Sequence, residues 1–247
     1  MEAANARMNG RTVRLYPQKA GGWLGLMPVP VMEKPGEYVL DILDKNGAVI
    51  DKTTITVADA HFPTQNVVLS PSLSELKATP DEVSTVAEFR KEVLDDRYWT
   101  DPLRAPVPGC MTSLFGVQRL HNGKPTGDFH AGLDLRAREG YPIRAAAAGV
   151  VKIARPMQLH GGTVAIDHGQ GLQSMYLHMS KIAATEGAMV QAGDVIGYAG
   201  STGRSTASHL HWSLYANGVP VNPLQWVKIS PCAAAQHSRT RSAKRSK

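Results

Sequence analysis

Cysteine is nearly absent: Cys110 and Cys232 are the only two in 247 residues. Neither has a second thiol nearby in sequence, which excludes a thiolate metal site. Aromatic residues make up only 6%. No window approaches the roughly 20 apolar residues of a membrane-spanning helix, so no membrane span is expected. The opening stretch MEAANARMNG has neither the basic nor the apolar region of an export signal. Either the protein is cytoplasmic, or its export signal is missing from this chain. No internal repeat is evident.

Glycine and proline, at 23 and 16 residues, favour a turn-rich, mainly β protein over a helical bundle. Hydrophobic residues at 43% and charged residues at 19% are those of a folded soluble chain. The net charge of +6 is concentrated at one end, where Arg239, Arg241, Lys244, Arg245 and Lys247 fall within the last nine residues. A run of this kind reads as a solvated tail that adheres to anionic polymers in general. It lacks interleaved aromatics for base stacking, and no nucleic-acid partner is expected.

Residues 1–100 read as a small accessory β domain, sandwich-like, that ends in one helix. Thr12 to Tyr16 is a strand candidate, and Tyr38, Leu40 and Ile42 alternate with less apolar neighbours. Asn46-Gly47 predicts a hairpin turn, because both residues tolerate positive φ. Val49 to Val57 is the returning strand. Pro28 to Pro35 is too proline-rich for a sheet centre. Thr79-x-x-Glu82 is a capping box with Pro80 at the first helical position. Val83, Val86, Phe89 and Val93 then recur at three- and four-residue steps, predicting a helix that ends near Asp96. Residues 101–109, in a stretch with three prolines, read as a linker. Residues 110–230 show short strands broken by glycine turns: Val150 to Ile153, Thr163 to Ile166, Gln173 to Leu177, Val195 to Tyr198 and Leu210 to Tyr215. This spacing suits a two-layer antiparallel fold. Residues 231–247 form the basic tail, expected to be disordered. Cys110 and Cys232 bracket the third region. They form either a disulfide, given an oxidising compartment, or two separate buried thiols.

Three polar clusters lie inside that region. In His130-Ala-Gly-Leu-Asp134, an extended backbone would point the histidine and the carboxylate to one face, and both are good zinc ligands. In His209-Leu210-His211, the two imidazoles share one strand face while Leu210 and Trp212 take the other. The third cluster, Met175-Tyr-Leu-His178, ends a strand. His61, His121, His160, His168 and His237 read as non-catalytic, although His160 sits beside Gly161-Gly162 in an expected groove-edge loop.

Taken together, Ser113-Leu-Phe115-Gly116, HAGLDL, RAAAAGVV from Arg144, VAIDHG from Val164, Tyr176-Leu-His178, Ser201-Thr-Gly203 and HLHW resemble the lysostaphin/LytM-type zinc metallopeptidases. They follow in that family's order from Ser113 to about Leu224. The resemblance implies a duplicated-hairpin β fold with a long groove and one zinc ion per chain, held by His130, Asp134 and His211. It makes His178 and His209 the catalytic pair, with their separate roles open. Ala207-Ser208 stands where Gly-Pro is usual, and Gly162 where an asparagine is common. The implied activity is hydrolysis of peptide cross-links or stem peptides of bacterial peptidoglycan, a D,D-endopeptidase being the first choice. The implied setting is periplasmic or secreted, and a monomer is expected. The rival reading is a module that binds wall peptides or a divisome partner in the same groove without cutting them.

Overall fold

The computed structural model describes residues 2–232, so the expected tail lies outside the described residues except for Pro231 and Cys232. Near the N-terminus four strands pair antiparallel in the order Arg11–Arg14, Ala3–Met8, Gly36–Asp44, Val49–Val57. The strand expected at Thr12 to Tyr16 is split, since Tyr16–Pro17 leaves this sheet to pair with Trp23–Leu24. At the hairpin, Gly47 alone adopts positive φ, at 81°. Asp44 Oδ1 accepts from the backbone N–H groups of Asn46 and Ala48, each at 2.9 Å. The aspartate side chain thus shapes the turn, and Asn46 needs no left-handed backbone.

The capping box forms as expected, with Thr79 and Glu82 exchanging hydrogen bonds. The helix Pro80–Lys91 ends short of Asp96, because Gln173 Nε2 donates to the carbonyls of Phe89 and Glu92 at 2.6 and 2.8 Å. The freed carbonyls of a helix end need such partners, and here a buried strand supplies them. Phe89 is buried against Ile153, Ala165, Met175 and Tyr215, whereas Val83 is 58% exposed. A second, single-turn helix, Pro71–Glu75, precedes it.

The C-terminal part is built on an eight-stranded sheet. Seven strands run in the order Met189–Val190, Gly149–Met157, Gly161–Gly169, Leu172–Met179, His209–Ala216, Leu133–Arg136, Met111–Ser113, and Val219–Val221 pairs with His209–Ala216. Pro142–Arg144, Val195–Tyr198 and Lys181–Ile182 form a smaller antiparallel layer. Ile143, Val164, Ile166, Tyr176, Ile196 and Trp212 pack together in one core, each with no exposed surface. Burying each such side chain contributes about 1.5–3 kcal/mol before ordering entropy is set against it. The fold is thus mainly β with two antiparallel layers, as the spacing predicts. One pairing departs from that pattern: Thr64–Val67 lies parallel to Gln118–His121, which in turn pairs with Lys124–Phe129.

Residues 101–109 have irregular backbone but are fastened down. Trp99, Leu103 and Val107 are all buried in the C-terminal core. Trp99 Nε1 donates to Gly169 O at 3.0 Å, and Arg104 N to Ala146 O at 2.9 Å. The prolines suit an extended strap that needs few backbone donors. Of the two alternatives for the cysteines, the structure has the disulfide, with Cα atoms 4.8 Å apart. Among the described residues, no helix is long and apolar enough to cross a membrane.

Candidate active site

Strand register brings the first two polar clusters together. Asp134 lies directly opposite His211, and Leu133 opposite Trp212, across the antiparallel pair Leu133–Arg136 and His209–Ala216. Leu210 and Trp212 face the core with no exposure, and Leu133 and Leu135 do the same. Alternation therefore forces Asp134, His209 and His211 onto the opposite face. His130 precedes its strand rather than lying in it. It is positioned by two backbone hydrogen bonds, His130 N to Val117 O and Gly116 N to His130 O, each 2.8 Å. Gly132 makes the turn between His130 and Asp134. A Cβ there would lie 2.4 Å from Trp212 O and 2.9 Å from His211 Nε2.

The outcome is a tight triangle. His130 Nε2 lies 2.9 Å from both Asp134 Oδ1 and His211 Nδ1, and His211 Nδ1 lies 3.0 Å from Asp134 Oδ1. These three residues form a group that could hold a metal ion. Their outer atoms are all engaged. His130 Nδ1 is 2.7 Å from Leu114 O, so it carries the proton and frees the Nε2 lone pair. His211 Nε2 lies 2.9 Å from Ser213 Oγ. Asp134 Oδ2 accepts from Arg119 Nη2 at 3.1 Å, and Arg119 also reaches Ser113 Oγ, which donates to Gln65 Oε1. Burial works to raise the Asp134 pKa, but the adjoining His130 and His211 side chains overcome it and hold the carboxyl well below its usual range. Burial pushes His211 down to about 4, against the opposing pull of Asp134.

His178 and His209 sit beside the triangle, their ring centroids 4.9 Å apart. His178 is 6.2 Å from His211 by the same measure, and His209 Nε2 is 3.6 Å from Asp134 Oδ1. Each turns Nδ1 toward a backbone carbonyl, His178 to Thr202 O at 2.9 Å and His209 to Ala207 O at 2.8 Å. Each Nε2 is then left with a lone pair in the neutral ring. Burial, then the neighbouring His209 and His211, push His178 down to about 3. His178 also has φ of 65°, a left-handed backbone that costs a residue other than glycine free energy. Its N–H is caught by His160 O at 3.0 Å.

All five sequence-predicted residues line one cleft of about 280 Å³, together with Arg119, His121, His160 and Arg204. His168 lies elsewhere. It is wholly buried, between Ala148 O and Ser174 Oγ. The two departures from the family pattern have local explanations. Ser208 Oγ ties its turn to Ala137 O at 3.0 Å. At Gly162 a Cβ would meet Met179 O at 2.3 Å, so this backbone has no room for an asparagine.

The peptidase family M23 model matches residues 128–223, the stretch that contains the triangle and both further histidines. Residues 128–223 form a peptidase M23 domain. The chain is 40% identical over 121 residues to the DD-carboxypeptidase/endopeptidase Mpg of Neisseria meningitidis serogroup B, covering 49% of this chain and 28% of that protein. It is 37% identical over 115 residues to the peptidoglycan DD-endopeptidase ShyA of Vibrio cholerae, covering 47% and 27%. The chain thus spans little more than a quarter of the length of these curated relatives. A crystal structure of an M23 peptidase from Pseudomonas aeruginosa superposes over 91% of this chain and 87% of its own, with a TM-score of 0.69 and 28% identity.

Several groups around the M23 site were not foreseen from sequence. Gln65, Glu82, Ser113 and Arg119 lie upstream of residue 128, and of these only Ser113 and Glu82 belonged to a recognisable motif. Glu82 is 2% exposed. Besides closing its capping box, it accepts from Leu159 N at 3.1 Å, from His160 N at 2.9 Å, and from the His160 ring. Burial raises its pKa, but donation from His160 and Leu159 prevails and lowers it. His160, expected at a groove edge, is there because the helix holds it.

Proposed function

We propose that this protein is a zinc-dependent endopeptidase that hydrolyses the peptide cross-links or stem peptides of bacterial peptidoglycan, with D,D-endopeptidase action as the preferred form. The observation that carries the reading is the convergence of His130 Nε2, Asp134 Oδ1 and His211 Nδ1 at 2.9–3.0 Å. No placement of protons satisfies all three contacts at once, whereas a shared cation does. Zinc bonds of about 2.0–2.1 Å in tetrahedral array place ligand atoms about 3.3 Å apart, within a few tenths of an ångström of this triangle. Two imidazoles and one carboxylate leave a fourth position open, as catalytic sites do. When bound, zinc would supply Lewis acidity at the cleft floor.

The remaining steps fall to the chain. Water entering the cleft meets the Nε2 lone pairs of His178 and His209. Asp134 lies beside His209 and favours the imidazolium that forms when His209 takes the water's proton. That proton then passes to the leaving amine. His178, neutral and fixed by Thr202, orients the attacking water. The DD-endopeptidase names of the relatives support the substrate class. A wall substrate lies outside the cytoplasmic membrane, and the Cys110–Cys232 disulfide suits an oxidising compartment, so a periplasmic or secreted location follows.

The test separates ligands from proton carriers. His211→Ala should lose the metal, measured by zinc content after dialysis. His209→Ala should keep it and lose about 10²-fold or more in turnover of purified sacculi, read as released muropeptides. If His209→Ala empties the site and His211→Ala does not, the assignment is reversed. If the wild type holds zinc but releases nothing from sacculi, the groove only binds.

A further inference from the structure

We propose that Arg204 forms a carboxylate-binding subsite in the cleft, so that the peptides acted on carry a free carboxylate close to the scissile bond. The inference rests on the peptidase reading above and narrows its substrate. Arg204 lies on the loop between the strands Val195–Tyr198 and His209–Ala216. Its backbone N–H donates to Leu159 O at 2.9 Å, which fixes its root at the cleft rim. The next residue, Ser205, lies 3.2 Å from His209 Nδ1 through its Oγ. The half-buried Arg204 side chain lines the same cleft as the metal-binding triangle.

Among the described residues, no side-chain hydrogen bond or ion pair reaches the Arg204 guanidinium. Arg119, in the same cleft, is committed to Asp134 and Ser113. Burial lowers the Arg204 pKa, and Arg119 adds to that, while Asp128 opposes it from beyond ion-pair range. His121, on the same wall, is also lowered by burial and then by Arg204 and Arg119. Asp128 lines the same cleft beyond ion-pair range, and Asp134 is engaged by Arg119, so the Arg204 guanidinium is left without a bonded acceptor. A guanidinium presents five donors in a planar fork that matches a carboxylate bidentately. A free carboxylate of a cross-linked stem peptide satisfies it, while an oligoglycine bridge offers only neutral carbonyls along its length.

The experiment uses the zinc-loaded full chain and two synthetic cross-linked stem peptides, one with free carboxylates and one with those carboxylates amidated. Binding and turnover are measured for wild type, Arg204→Gln and Arg204→Lys. The wild type should favour the free acid in Kd and KM by roughly 10- to 100-fold, the range of a charge-assisted bidentate contact. In Arg204→Gln that ratio should fall to about one, and Arg204→Lys should keep part of it. Equal treatment of the two peptides by the wild type, or an unchanged ratio in Arg204→Gln, overturns the subsite even if hydrolysis is intact. If neither peptide is cut but the free acid still binds more tightly to wild type than to Arg204→Gln, the subsite stands and the peptidase reading falls.

Discussion

Replacing Glu82 with alanine should unsettle the protein at two levels. The side chain is buried and closes the capping box at Thr79, and it also accepts from the backbone N–H groups of Leu159 and His160. Losing half a capping box costs about 1 kcal/mol. Each backbone donor left without a partner costs about 1–3 kcal/mol. A total near 4 kcal/mol is expected, read as a lower urea midpoint at unchanged slope. The functional effect follows from His160 O, which receives the N–H of His178. Once the loop loosens, the left-handed backbone of His178 loses its restraint, so turnover should fall while zinc content stays full. Glu82→Gln keeps an acceptor of the same shape and should recover most of the stability. A loss below about 1 kcal/mol in Glu82→Ala, or loss of zinc together with rate, would refute this account, because Glu82 touches none of the proposed ligands His130, Asp134 and His211.

Two further outcomes can be measured directly. Burial pushes His168 down from 6.5 to about 4, so the unfolded chain takes up that proton first. Its contribution is fully present above pH 6.5 and is lost as pH falls toward 4, amounting to about 3 kcal/mol; His168→Gln should flatten that acid limb in urea titrations. A chain that begins at Asp59 should keep the fold and bind zinc. One that begins at Pro106 lacks Phe89, Trp99 and Leu103, all buried in the C-terminal part, and should not fold, as checked by circular dichroism and zinc content.

What the sequence made legible was local. His209-Leu-His211 declares its two faces because strand alternation has a period of two, and the capping box at Thr79 is a contact between residues three apart. The Val195 to Tyr198 strand is found where its glycine-bounded apolar run predicts it. Contacts between distant segments were not legible. Nothing in the spacing of Gln65, Arg119 and Asp134 announces that they join through Ser113, because the parallel pairing of Thr64–Val67 with Gln118–His121 leaves no short-range pattern. Val93 continued a helical period and yet is not helical, since Gln173, 80 residues on, captures the carbonyls at the helix end. Prolines at 102, 106 and 108 read as a linker. The burial of Leu103 and Val107 against the C-terminal core is a long-range contact that no local pattern announces.

The position of Arg119 has a consequence for grafting. The M23 match begins at residue 128 and carries His130, Asp134 and His211 with it. The guanidinium that braces Asp134 Oδ2, and the carboxylate that clamps the cleft edge at His160, both come from upstream. A transplant of 128–223 into another host would move the donor atoms without their stays. Asp134 would then be free to rotate, and the site would accept ions of looser geometry. Conversely, exchanging the upstream strand and helix between relatives would retune the same three donors without altering one of them.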